Sequence, residues 1–255
     1  MARLLSGSGT VTGTGALTSI APGADGQVLT STGTVWNSEA SAGLPTSSYA
    51  FASIQTFTST GTWTKPAGIT AVYVIVTAPG GGGGGAGITG NTASGGNGGG
   101  TAIEWITSGI GVVNDGHQET VTIGTGGGGG AVDAAGSAGS GVSSFGSHCS
   151  ASAGPGGRPG NQNPGGRQGG VGTGGTLNLR GGSAVGGNDG SEAIAVSGAG
   201  DSYWEPGGCG GSYYEASQDG EKGSGGGGGF DTSPSIGDAS SDGGDGICVV
   251  YEYKG

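Results

Sequence analysis

Charge is scarce in this chain, and most of it has one sign. Lys and Arg number 7 against 18 Asp and Glu, charged residues are 10% of the whole, and the net charge is −11. An acidic chain of this kind is repelled by nucleic acid and by anionic membrane surfaces, which excludes both as partners. The charge is also far too dilute for a disordered chain kept open by self-repulsion. Leu, Ile, Val and Phe together number 39, about 15% of the chain and below the ~20% that goes with a large core. No apolar run approaches the ~20 residues that span a bilayer, so membrane insertion is excluded. The opening MARLLSGSG has no apolar h-region, which predicts synthesis in a reducing cytoplasm without secretion. Cys149, Cys209 and Cys248 are too few and too far apart for a zinc site or a disulfide framework, and read as buried thiols.

What the chain has instead is glycine, 70 of 255 residues. Ordering a glycine costs more backbone entropy than ordering any other residue, on the order of 0.5–1 kcal/mol relative to Ala. So many can be ordered only by a dense network of backbone hydrogen bonds, by burial in an oligomer, or by both. The stretch AVYVIVTAPGGGGGGAG, Ala71 to Gly87, states the problem in miniature. Val72 to Thr77 are β-prone and suit a pleated surface packed on both faces. Gly80 to Gly85 follow without a break, and Gly126–Gly130 and Gly225–Gly229 repeat the pattern. Side-chain-free backbone of this kind suits the extended threefold polyproline-II-like helix, whose N–H and C=O groups point outward to close parallel neighbours. The fold class expected is therefore mainly β and irregular: a small β-sheet frame with packed polyglycine-II-like helices. Val72–Val76 is expected to neighbour Ile247–Tyr253 in that frame. Along the second run Ile247, Val249, Tyr251 and Tyr253 make one face the more apolar, while Glu252 and Lys254 turn the other polar.

Residues 1–50 are Ser, Thr, Gly and Ala with isolated apolar punctuation, including Leu4, Leu5, Val28, Leu29 and Trp36. Pro22-Gly23-Ala24-Asp25-Gly26 is turn chemistry. These segments are too short to fold alone, and are expected to be an extended attachment or shaft segment wound around two further copies. The turn with Gly26-Gln27-Val28-Leu29-Thr30-Ser31-Thr32-Gly33 resembles stretches of trimeric phage tail-fibre and related virion proteins.

From Phe51 the texture changes, and residues 51–255 are expected to form one glycine-rich domain. FTSTGTWTKPAGITAVYVIVTAPGGGGGG, Phe57 to Gly85, is followed by Thr101-Ala102-Ile103-Glu104-Trp105, by Glu119–Gly124 leading into Gly126–Gly130, and by Ser143–Gly146 and Cys149–Gly154; the chain closes on Gly243–Tyr253. This order is similar to the glycine-rich domain family of bacteriophage tail-fibre and tail-tip proteins: a threonine- and aromatic-rich hairpin, a Pro-Ala-Gly turn, an aliphatic strand, then polyglycine. The resemblance implies packed polyglycine-II helices, with host-receptor contacts in the loops that join them at the far end. Tyr203–Glu205, Tyr213–Glu215 and Asp231–Asp242 depart from it, being bulkier or more acidic than simple polyglycine.

Enzyme chemistry finds no support. No glycine run is followed by Lys-Ser/Thr, so there is no P-loop. His148 and Cys149 are sequence neighbours, and neighbours on a strand point to opposite faces. Asp231, Asp238, Asp242 and Asp245 match neither the nonapeptide nor the EF-hand calcium pattern and read as a solvated acidic loop, leaving metal and cofactor sites at none. Tyr203, Trp204, Tyr213 and Tyr214 stand out in a chain with 6% aromatics. Such rings on glycine-rich loops serve recognition of sugars or protein loops, or else cap the bundle or fill a subunit interface. The function expected is a non-enzymatic virion fibre or tail-tip adhesin, a homotrimer made in the host cytoplasm. It meets other virion proteins through residues 1–50 and a host surface glycan or outer-membrane protein through those four rings. The alternative is a purely structural capsid or tail decoration. An ice-binding protein would need repeated flat rows of small polar residues, and none is visible.

Overall fold

The computed structural model describes residues 27–31, 36–40, 49–87, 92–107, 115–160, 167–186, 197–211, 215–230 and 239–255. The chain divides into two compact units, Met1–Ser48 and Tyr49–Gly255. In the first, β1 (Gln27–Ser31) and β2 (Trp36–Ala40) pair as an antiparallel hairpin with Leu29 opposite Ser38. Among the described residues there is no helix, and so none long and apolar enough to cross a membrane.

The second unit holds β3 (Ala50–Phe57), β4 (Gly61–Thr64), β5 (Ala71–Thr77), β6 (Thr101–Ile106), β7 (Gln118–Thr122), β8 (Val142–Phe145), β9 (Cys149–Ser152), β10 (Gly172–Thr173), β11 (Leu177–Leu179) and β12 (Ile247–Lys254). They form two five-stranded antiparallel sheets, ordered β11-β6-β5-β12-β3 and β10-β9-β8-β7-β4. The two most aliphatic strands are direct neighbours as expected, with Val74 opposite Val250. The strands flanking Thr58–Thr60 are not a hairpin, however. β3 pairs with β12, and β4 crosses to the other sheet and pairs with β7.

The core lies between the sheets. Val72, Val74 and Val76 of β5 and Cys248 and Val250 of β12 meet Trp63, Val121, Phe145, Cys149 and Ala151 from the facing sheet. On β12 it is the face that turns polar that points inward. Glu252 lies in the core with no exposed surface, while Tyr251 and Tyr253 point outward. The carboxyl group is accommodated by donors: Trp63 Nε1 and Gln55 Nε2 each reach Oε1 at 2.7 Å, and Ser53 Oγ donates to Oε2. Three neutral donors supply what a buried carboxyl needs in place of water.

Beyond the sheet ends the chain runs back and forth in extended segments, and their hydrogen bonds explain the glycine. In segment 78–86 the N–H groups of Gly80 and Gly83 donate to Gly244 and Ser241, those of Gly81 and Gly84 to Asn97 and Ser94, and those of Gly82 and Gly85 to Ser137 and Ala134. Successive amides thus turn to three different neighbours and return to the first after three residues. The carbonyls do the same: Gly80 and Gly83 accept from segment 125–131, Gly81 and Gly84 from 223–230, and Gly82 and Gly85 from 153–160. The segment is bonded on all sides.

Two more segments, 92–100 and 223–230, are enclosed in the same way. Together with 78–86 they make a mutually bonded trio in which every residue is buried. Around the trio runs a closed ring, each member hydrogen-bonded to the next: 152–160, 134–140, 125–131, 239–246, 215–220, 207–211, 197–202, 180–186, 167–171 and back to 152–160, where the Ser152 amide donates to Val171. A Cβ added at any of Gly80–Gly85 would meet a neighbour's backbone carbonyl well inside van der Waals contact. The neighbours there are backbone atoms, which cannot step aside as the end of a flexible side chain can, so only glycine permits this spacing.

Candidate functional site

The direction of each pass decides what the connections can contact. The trio and the ring are joined at the sheet end by two turns, 203–206 and 221–222. At the far end the turn 132–133 joins 125–131 to 134–140, and the described parts of the other outgoing segments stop at Gly87, Gly160, Gly186, Gly211 and Phe230. Tyr203 and Trp204 belong to the sheet-end turn. Asp201 Oδ1 accepts the Gly207 amide at 2.8 Å, and Ser202 Oγ accepts the amides of Trp204 and Glu205, which closes the turn. Trp204 Nε1 donates to Thr77 Oγ1 at 3.0 Å, and Tyr203 stands edge-on to Trp204 with ring centroids 5.0 Å apart. Burial pushes the Tyr73 phenol above its ordinary range, with Tyr203, Tyr251 and Tyr253 adding to the shift. The two rings therefore sit on the outer side of the β5 sheet, away from the far-end connections. Tyr213 and Tyr214 follow Gly211 in the sequence and lie outside the described residues.

That outer sheet side carries an aromatic group the sequence reading did not single out. Trp105 contacts Tyr49, Tyr73 and Tyr253 at centroid distances of 5.4, 6.1 and 4.9 Å, and Tyr73 lies 6.0 Å from Tyr251. The signal was present in the alternation of Tyr251 and Tyr253 with Val250 and Glu252, once register set Tyr73 opposite both Trp105 and Tyr251.

The titratable groups have quieter roles. Glu119 Oε1 lies 2.9 Å from His117 Nε2 and 3.5 Å from His148 Nε2. Cys149 faces the core, where burial pushes its thiol up to about 12, so it does not share a proton with His148. Burial raises the Cys248 thiol further still, whereas Cys209 is exposed, which corrects the expectation of three buried thiols. Among the described residues no group of three His, Cys, Asp or Glu could hold a metal ion. Asp245 Oδ1 accepts the Gly126 amide and Asp242 Oδ1 the Gly129 amide, each at 2.7 Å. Two carboxylates three residues apart thus serve two amides three residues apart. Asp231 and Asp238 lie outside the described residues.

A sequence profile for a glycine-rich domain matches residues 55–253, nearly all of the second unit. The chain belongs to this glycine-rich domain family. No curated protein matches the chain. In this glycine-rich domain the matched stretch opens in β3 and closes in β12, neighbouring strands of one sheet, so the profile spans both sheets and every glycine segment.

Proposed function

We propose that the glycine segments are polyglycine-II helices packed side by side, and that this bundle is the head of a virion fibre or tail-tip component. Its role is non-enzymatic host attachment as a homotrimer, with residues 1–50 joining it to other virion proteins. The observation that carries the polyglycine-II part is the threefold alternation of amide partners along 78–86, with no hydrogen bond inside the segment. The recognition part follows from what such a bundle can display. Its sides are largely backbone and small residues, so chemical variety is concentrated where the chain turns at the far end. The sequence that follows those segment ends includes Ile88-Thr89-Gly90-Asn91, Asn161-Gln162-Asn163, Glu192-Ala193-Ile194 and Ser212-Tyr213-Tyr214, and so offers amide, carboxylate and aromatic groups. Of the four rings expected to meet a receptor, Tyr213 and Tyr214 fit this reading, and Trp204 fits the packing role.

The test is competition for virion adsorption to the host by the soluble protein. Tyr213→Ala with Tyr214→Ala should cut competition at least about 30-fold, as removal of an anchor ring does, with the melting temperature unchanged. Wild-type protein that never competes would leave the decoration reading in place.

A further inference from the structure

We infer that the outer face of the β11-β6-β5-β12-β3 sheet is the surface through which copies of this chain associate. An antiparallel sheet with one face in water alternates apolar inward with polar outward. This one does not. Its register puts Leu177 beside Ile103, Ile103 beside Ile75 and Ile75 beside Val249, and one pair further along it puts Trp105, Tyr73 and Tyr251 in a row. The outward positions of all five strands hold only Thr, Ala, aliphatic and aromatic residues, with no Asp, Glu, Lys or Arg among them. The turn carrying Trp204 adjoins Thr77 at the end next to the glycine segments. Ile103, Ile75 and Val249 in the middle of the first row are buried, so the open part of the face is Leu177 (49% exposed) at the β11 edge and, towards the other end, Phe51 (59%) and Ile54 (50%) with Tyr49 and Trp105 beside them.

Charge selects the occupant. Two copies each carrying −11 repel wherever acidic surface meets acidic surface. An uncharged face is where they can approach without that penalty, and here it is also the apolar one. A glycan is a poorer match, because sugar recognition needs amide or charged groups placed among the rings, and at the outward positions of these strands only hydroxyls accompany the apolar and aromatic side chains. Tyr49, just before β3, lies on this face with its ring edge-on to Trp105. The inference deepens the homotrimer reading and rests on self-association, not on host attachment.

Sedimentation equilibrium of the full chain tests it. Phe51→Glu, Ile54→Glu and Leu177→Glu together should raise the dissociation constant at least about 100-fold. The control pair Val142→Glu and Val185→Glu, exposed apolar residues off this face, should leave it unchanged. Circular dichroism should report the same fold for all, the substituted side chains being exposed. A second readout needs no variant: hydrogen exchange of the β3 amides should quicken on dilution while that of Gly80–Gly85 does not. A triple variant that associates like wild type, or β3 exchange independent of concentration, overturns the assignment of the face and leaves the trimer standing. A wild-type monomer at every concentration overturns both.

Discussion

The indole Nε1 of Trp63 donates to Oε1 of Glu252 at 2.7 Å, and neither side chain has any exposed surface. The bond joins β4 in one sheet to β12 in the other. It fastens the two layers across an interior made mainly of apolar side chains. Removing either partner leaves the other's polar atom buried. Trp63→Phe should cost about 1–3 kcal/mol, and Glu252→Ala, which leaves three neutral donors without their acceptor, should cost more. In urea titrations the double variant should lose less than the sum of the singles.

Alanine substitution should split the glycines into two classes. At Gly83 a Cβ runs into the backbone of Gly227 and Gly228, whereas at Gly198 nothing lies within 4 Å. Gly83→Ala should cost at least about 3 kcal/mol or abolish folding, since backbone neighbours cannot repack as side chains do. Gly198→Ala should be neutral, or stabilising by up to about 1 kcal/mol through the unfolded chain. Thermal melts of the two proteins check the contrast.

Asp242 and Asp245 finish the hydrogen bonding of the bundle rim. Asp245→Ala frees the Gly126 amide to solvent, and a loss of about 1 kcal/mol is expected. Asp245→Asn keeps an acceptor oxygen and should recover most of it. If calcium binding were the role, added calcium would raise the wild-type melting temperature and not the Asn variant's; no such shift is expected.

The pair of Lys65 Nζ and Asp115 Oδ1, 2.6 Å apart, gives one pH dependence. The hydrogen bond from Lys65, then that from the Gly68 amide, hold the Asp115 carboxyl below its ordinary value of 3.8. A carboxyl lowered in the fold stabilises it above the unfolded value, and that contribution is lost as pH falls through the lower folded value. The difference in melting temperature between wild type and Asp115→Asn should therefore be constant from neutral pH to about 5, and vanish in stronger acid.

Thiol labelling should separate the cysteines. Cys209 should react with a disulfide reagent at pH 8 in the native protein. Cys149 and Cys248, buried and with raised thiols, should react only on unfolding.

The sequence made the β5–β12 pairing and the need for a hydrogen-bonded glycine body legible, because a β-prone run and an unbroken glycine run have few other uses. It did not reveal the inward Glu252, since its donors Ser53, Gln55 and Trp63 come from strands 189 or more residues away. Nor could it say at which end Tyr203 and Trp204 lie. That depends on how many times the chain has reversed before them, and glycine runs carry no mark of direction. The aspartates looked like a solvated loop because their partners are glycine amides, which leave no trace in composition.

The alternation of amide partners by threes gives the backbone a frame. Inserting one residue within 78–86 turns every later N–H by a third of a revolution and points it at the wrong strand of the weave, while three inserted residues restore the phase one step further along. Lengths inside the body of this protein can change only in triplets.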